Sequence, residues 1–152
     1  MRRVKLPLFL LVFTIFALPA SAQTEVPDGV PYVNQYISNG TDQYSAPWWD
    51  ALASELVLAL ETADETSEPS ALQNIIFFAE MHGKRINLKP AVPMLLDIYR
   101  DDPSEGTRIM ALAALSAIGN HSAMNELREG VYRESSPRVK KLTVAALTEY
   151  YR

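Results

Sequence analysis

Two histidines are the first residues of this chain whose types could support chemistry. His82 precedes Gly83, and His121 follows Gly119 by two positions, so both stand beside predicted turns. With Glu80 they could supply metal ligands, but zinc sites need three or four convergent ligands. Glu80 and His82 are also two residues apart and do not form the i, i+4 pair of a zinc-protease helix. The sequence therefore favours two exposed turn histidines, and no metal or other cofactor is predicted.

Carboxylates crowd one predicted helix end, at Glu61, Asp64, Glu65 and Glu68. The Asp-rich order of an EF-hand calcium loop is absent from the sequence. The sequence also lacks the hydrolase nucleophile motif, the glycine-rich loop that binds phosphate and the dinucleotide-binding fingerprint. The chain has no cysteine, which excludes a thiol nucleophile and a zinc–thiolate site. We therefore expect a solvated acidic turn, and we predict no enzyme activity and no catalytic residue.

Residues 1–22 follow the order of a cleaved secretory signal, with a basic stub, an apolar run and small residues. The apolar run, residues 8–18, is shorter than the roughly 17 to 25 residues that span a bilayer. The Ala20-x-Ala22 pair predicts cleavage between Ala22 and Gln23. We expect a mature chain in a bacterial periplasm or outside the cell, with no membrane insertion after cleavage.

Charge is distributed unevenly along the chain. Residues 23–83 contain ten acidic side chains and no basic one, whereas residues 84–152 contain eight acidic and eleven basic side chains. Binding to nucleic acid requires a basic surface that displaces counterions. The net charge of −4 therefore argues against a nucleic-acid partner. The uneven distribution of charge also predicts a molecule that is acidic at its first end and mildly basic at its last.

Residues 23–46 are predicted to be a flexible leader, because they are rich in Pro, Gly, Asn, Gln, Ser and Thr and show no helical or strand period. Their tyrosines leave open a docking of this segment on a neighbouring helix. Trp48 and Trp49 follow, and adjacent helical positions point about 100° apart. We expect Trp49 in the core, and Trp48 half exposed or touching the leader, as a candidate contact residue.

Residues 47–152 are predicted to form a helical domain. Trp49, Leu52, Leu56 and Leu60 recur at spacings of three and four, which makes one apolar stripe of an amphipathic helix. Polar capping residues predict six helix starts, near Ser45, Ser67, Asn87, Ser104, Ser122 and Ser136. The connections are short, which forces consecutive helices to run antiparallel.

A repeat runs through this domain. Pro69, Pro103 and Pro137 lie 34 residues apart, and each opens a predicted helix. The segment Ala111-Leu-Ala-Ala-Leu115 is echoed by Thr143-Val-Ala-Ala-Leu147. A pair of short helices cannot bury its apolar face alone, so such pairs stack. The predicted fold is all-α, a short right-handed α-solenoid of stacked antiparallel helix pairs with about six helices.

The stretch Thr107–Gly119, and more loosely Val139–Leu147, resembles the short bacterial form of HEAT repeats. Both have a basic residue early (Arg108 and Lys140), alanines in the middle of the helix and then leucine. A 34-residue period also suits tetratricopeptide repeats, but their characteristic glycine, tyrosine and alanine positions are not matched. The resemblance implies a scaffold for protein contacts. The alternatives are an accessory subunit or regulator of an envelope enzyme, and a structural self-associating module.

The last helix carries the candidate interaction surface. By the repeat pattern it is the first helix of a unit whose second helix is missing, so one flank is expected to be uncovered. Arg138, Lys140, Lys141 and Tyr151 would then meet something acidic. An unidentified protein in the cell envelope is the first expectation, and head-to-tail contact with another copy is the second. The alternative is that the basic residues are simply a solvated face, with Tyr150 packed inward.

Overall fold

The computed structural model describes residues 31–39 and 44–152, which lie in helices and short connections without a strand. The predicted signal and its cleavage position, Ala22 and Gln23, lie outside the described residues. None of the described helices is long and apolar enough to cross a membrane. The helices are α1 (Pro31–Asn39), α2 (Ala46–Glu61), α3 (Glu68–His82), α4 (Val92–Asp101), α5 (Glu105–Ile118), α6 (His121–Gly130) and α7 (Pro137–Tyr150).

Helix α5 lies at the centre of the domain. It packs against α3 and α7 on its two sides, and against α4 and α6, its neighbours in the chain. Helices α3, α5 and α7 thus form one layer, while α2, α4 and α6 form a second layer. One open groove in this layer lies between α4 and α6, and another lies between α2 and the connection that leads to α4. This arrangement confirms the predicted all-α solenoid of stacked helix pairs.

Small residues allow the close packing around α5. Ala111 and Ala114 are completely buried, and Leu112 and Leu115 lie in the hydrophobic core beside them. Alanine keeps the helix surface narrow at the crossing, so that neighbouring backbones approach while the leucines fill the space between them. Four of the five residues of the repeated segment Ala111–Leu115 therefore lie in the core.

Three helices of the second half begin with a side-chain cap. Ser104, Asn120 and Ser136 each accept a hydrogen bond from the backbone N–H three residues later. Such a cap satisfies one of the amides that have no partner within the helix. Asn120 takes this role for α6, two residues before the predicted Ser122. Gly119 ends α5 in the left-handed region, with φ of 62°, whereas Gly83 ends α3 with an ordinary φ of −55°.

The start of α4 differs from the prediction. Asn87 was expected to cap the helix directly, but a 3-10 turn at Lys89–Ala91 comes first and the α-helix begins at Val92. Asn87 Oδ1 accepts a hydrogen bond from the Lys89 N–H within this turn. An α-helix from residue 88 would place Pro93 in its interior, where proline removes a hydrogen bond and clashes with the preceding turn. Restarting at Val92 places Pro93 in the first turn, where it is tolerated.

Part of the predicted flexible leader is helical. Helix α1 packs against α2, with Val33 buried and Tyr32 and Tyr36 against the core. Composition and the missing period predicted no regular structure here, and a helix of nine residues is too short to be stable alone. Contacts with the rest of the molecule supply what the isolated segment lacks.

Candidate interaction surfaces

The predicted contact residues lie in two separate parts of the molecule. Arg138, Lys140 and Lys141 are on α7, and Tyr151 follows its last residue. Trp48 is on α2, and α3 and α5 stand between α2 and α7 in the packing order. Four of the five residues therefore lie along or directly after one helix, with Arg138 and Tyr151 at its opposite ends, and Trp48 lies elsewhere.

Helix α7 has an outer face that no described helix covers. Lys141, Ala145 and Thr148 run along the middle of this face, at spacings of four and three residues, and all are exposed. Arg138 is exposed near its start. Leu142 and Val144 flank the stripe with 37% and 50% of their surface exposed. The outer face, which we define by these residues, is thus both basic and apolar.

Comparison of α5 with α7 shows that the outer face corresponds to a packing face. In the echoed segments, Ala111 and Leu115 match Thr143 and Leu147, and all four are buried. Leu112 matches Val144, yet Leu112 is 3% exposed and Val144 is 50% exposed. The same repeat position is therefore core in α5 and surface in α7.

Lys140 and Tyr151 have contacts within the molecule. Lys140 Nζ donates a hydrogen bond to the Tyr132 carbonyl oxygen at 3.1 Å, at the 3-10 turn Val131–Arg133 that precedes α7. Tyr151 donates its hydroxyl proton to Asn125 Oδ1 at 2.6 Å, and its ring lies 5.4 Å from the Arg128 guanidinium. Both side chains hold α7 in place, so Arg138 and Lys141 are the basic residues that point to solvent.

A polar network fixes the beginning of α7. Arg108 Nη1 donates to both carboxylate oxygens of Glu134 at 3.0 Å, and both side chains are largely buried. Glu134 also accepts the backbone N–H of Ser136, and Ser136 Oγ donates to Glu105. Arg108 Nε is also buried and has no hydrogen-bond partner among the described residues, so Nη1 alone makes the contact to Glu134. The early basic residue of the repeat thus has a structural role here.

A second buried contact joins α4 to α7. Thr143 Oγ1 donates to the Val139 carbonyl oxygen at 2.9 Å, so the Tyr99 hydroxyl, also 2.9 Å away, donates to Thr143. Burial raises the pKa of the Tyr99 phenol above its usual value, more than the hydrogen bond to Thr143 lowers it. This phenol has a structural partner and lies in the core.

A family model for HEAT repeats matches residues 55–148. The chain belongs to the HEAT-repeat family. The match spans α3 to α6, the second part of α2 and most of α7, so the stacked units around α5 are its HEAT repeats. No curated protein and no solved structure matches the chain. HEAT repeats suggest a protein-interaction scaffold, and the family is typically non-catalytic.

Aromatic side chains cover the first end of the HEAT-repeat domain. Trp49 is buried, and Trp48 is half-buried with its ring stacked on Tyr44 at a centroid distance of 3.8 Å. Trp48 Nε1 donates to Gln35 Oε1 of α1 at 3.0 Å. The predictions that Trp49 is in the core and that Trp48 touches the leader are thus confirmed. Because Trp48 already has these partners, it is a weaker contact candidate than the residues of α7.

The two histidines lie in different environments. His82 is buried, and its Nε2 is hydrogen-bonded to the Tyr36 hydroxyl at 2.8 Å. The interpretation of His82 as an exposed turn residue is therefore wrong, because α1 covers it. His121 is exposed, with Nδ1 3.3 Å from the Tyr150 hydroxyl. Within the described part of the chain, no group of three or more His, Cys, Asp and Glu is arranged to hold a metal ion.

An open groove beside α2 was not predicted from the sequence. It runs between α2 and the connection that leads to α4, where Asn87 and Pro90 form the opposite wall. Leu58 lies in it with 51% of its surface exposed. The six α2 residues in this groove are Asp50, Ala53, Ser54, Val57, Leu58 and Glu61. Their helical spacing was visible in the sequence, but the opposite wall depends on how the next element packs.

Proposed function

We propose that this chain is an exported, non-catalytic adaptor that binds an acidic partner protein of the cell envelope through the outer face of α7. The observation that carries the proposal is the exposed combination of Arg138, Lys141, Leu142 and Val144 on one helix. Export follows from the signal pattern of residues 1–22, and the mature protein is expected in a periplasm or outside the cell.

The composition of the outer face argues for a protein partner. Protein interfaces combine an apolar centre with a polar rim, and arginine is enriched in them. Here exposed aliphatic side chains lie beside two cations on a rigid helix. Helix α7 is held by the Arg108–Glu134 pair and by Tyr151, so the face is already in place before binding. A preformed face reduces the entropy that association costs.

The charge of the outer face predicts the character of the partner. Arg138 and Lys141 are solvent-exposed cations, so a carboxylate-bearing surface would be attracted and oriented by them. Attraction between exposed charges weakens with rising salt, because the Debye length is about 10 Å at 0.1 M and about 3 Å at 1 M. Binding through this face is therefore expected to be salt-sensitive.

Quantitative capture from envelope extract tests the proposal. The purified protein is compared with the double variant Arg138→Glu/Lys141→Glu and with a matched control, Lys84→Glu/Lys89→Glu, which reverses two exposed charges elsewhere. We expect a partner that is retained by the native protein and the control, is lost by the α7 variant and is released by salt. Equal retention of every captured protein by both variants would refute the assignment to α7.

A further inference from the structure

The groove beside α2 has an apolar floor between two acidic ends. Ala53, Val57 and Leu58 lie in its middle, while Asp50 and Glu61 stand at its two ends. The two carboxylates are eleven residues apart on one side of the helix, or about 16 Å along its axis at 1.5 Å per residue. A segment that fits this groove must be apolar in its centre and basic at both ends.

The end of α2 adds to this preference for a cation. The last turn contains Glu61 and no basic residue, although the C-terminal end of a helix carries partial negative charge and favours cations. Residues 23–83 contain no basic side chain at all. A cation that binds at this end of the groove therefore comes from outside residues 23–83.

The outer face of α7 has the matching pattern. Lys141 lies on this face with Ala145 one turn further on, and Arg152, the second residue after the helix, is eleven residues beyond Lys141 in the chain. All three are exposed. Arg152 is paired with Glu149 of α7, at 3.2 Å, and such exposed pairs contribute little stability. Ala145 is small, which would let the two helices come close, and Leu142 would meet the apolar floor.

We propose that the α2 groove binds the outer face of α7 from a second copy of this chain, in antiparallel orientation. Lys141 then lies opposite Glu61, and Arg152 lies opposite Asp50. This orientation also places the N-terminal end of α7, which has no acidic residue in its first turn, beside the C-terminal end of α2. Helix partial charges and side-chain charges are thus complementary at the same point.

This contact joins two different surfaces, so it is heterologous. However many copies join, the assembly keeps one free groove at one end and one free outer face at the other. Such assemblies grow as chains unless the rotation between copies closes a ring. The inference uses the same α7 face as the proposed function, so a second copy and an envelope partner would compete for it. The α2 groove is used by self-association alone.

Sedimentation velocity of the purified protein, over a concentration series at low and high salt, tests the contact. We expect the sedimentation coefficient to rise with concentration at low salt and to rise much less at about 1 M salt, where exposed charges are screened. Glu61→Lys or Lys141→Glu alone should weaken association about tenfold or more, because each replaces attraction by repulsion. Glu80→Lys, an exposed position on α3, makes the same charge change outside the groove and should leave association unchanged.

A charge swap tests the pairing and its direction. Combining Glu61→Lys with Lys141→Glu in one chain should restore association, whereas combining Asp50→Lys with Lys141→Glu should not. A protein that stays monomeric at low salt and high concentration would overturn the inference, as would association that is unaffected by Glu61→Lys. Either result leaves the proposed function standing, because capture of an envelope partner is tested with α7 variants and a native groove.

Discussion

At the scale of single residues, two leucines of this chain show what the solenoid requires of its core. Leu115 of α5 is completely buried where α5 meets its neighbours, whereas half of the Leu58 surface on α2 is exposed. Both are leucines in helices, so comparing their replacement by alanine isolates the contribution of packing to the free energy of unfolding.

Leu115→Ala is therefore expected to destabilise the protein by about 2 to 5 kcal/mol, because it removes buried methyl groups and leaves a cavity. Leu58→Ala is expected to change the free energy of unfolding by less than about 0.5 kcal/mol. Urea unfolding followed by circular dichroism measures both. Similar losses at the two positions would contradict the assignment of Leu115 to the core.

The buried phenol of Tyr99 makes stability depend on alkaline pH. Because burial raises its pKa in the folded state, the folded protein holds this proton more tightly than the unfolded chain does. The resulting stabilisation is fully present below the unfolded pKa of about 10 and is lost as the pH rises through the raised folded pKa.

Tyr99→Phe should cost about 0.5 to 1.5 kcal/mol at neutral pH through the lost hydrogen bond to Thr143.

The alkaline test compares unfolding midpoints at neutral pH and above about pH 10. The native protein should lose more stability over this interval than Tyr99→Phe does. Tyr132→Phe removes the hydroxyl of a tyrosine residue that is 82% exposed, and this variant should behave as the native protein. An equally steep alkaline loss in Tyr99→Phe would show that another group is responsible.

At the scale of elements, the six repeat helices and their stacking were predictable from the sequence, whereas the contacts of segments outside the repeat were not. The six helices from α2 to α7 could be inferred from the residues at their ends. These are capping serines, early prolines and Gly119, and each acts within one turn of the chain. Helix α1 could not be inferred in this way, because it is stabilised by packing of tyrosines on distant residues. The α2 groove was missed for the same reason, since its far wall comes from the connection before α4.

Gly119 offers a test of one such end. Its φ of 62° is in the left-handed region, where a side chain costs about 1 to 2 kcal/mol. The nearest atoms to an added Cβ are 3.9 Å away, so the loss in Gly119→Ala would come from the backbone alone. Gly130 has φ of −84° and open space around its Cβ position. Gly130→Ala should therefore be neutral or stabilising by up to about 1 kcal/mol.

Thermal unfolding of these two variants measures the difference. Gly119→Ala should melt below the native protein, and Gly130→Ala should melt at the same temperature or above it. A stabilising Gly119→Ala would contradict the left-handed end of α5.

At the scale of the whole molecule, acidic and basic surfaces are separated along the stacking direction. Sequence order is spatial order in a solenoid, so the uneven charge of the two halves could be read directly from the sequence. The α7 residues Arg138 and Lys141 were identified in this way. The internal contacts of Lys140 and Tyr151 could not be, because they depend on the positions of Tyr132 and Asn125.

Export is a property of the whole chain, and its test is independent of the fold. Cleavage after Ala22 predicts a mature protein that begins at Gln23, which mass spectrometry of the envelope or secreted fraction measures directly. Ala22→Leu should slow processing, because the cleavage site favours small residues. An envelope form that still begins at Met1 would contradict cleavage and favour a retained anchor.

Site-specific photocrosslinking in the producing cell tests the central claim, which is that the outer face of α7 is a docking surface. A photoreactive residue is placed at Ala145, in the middle of that face, and in a second strain at Ala113, an exposed position of α5. We predict a defined crosslinked product from position 145 that Lys141→Glu diminishes, and none of this product from position 113. No product from position 145, or the same products from both positions, would contradict the claim.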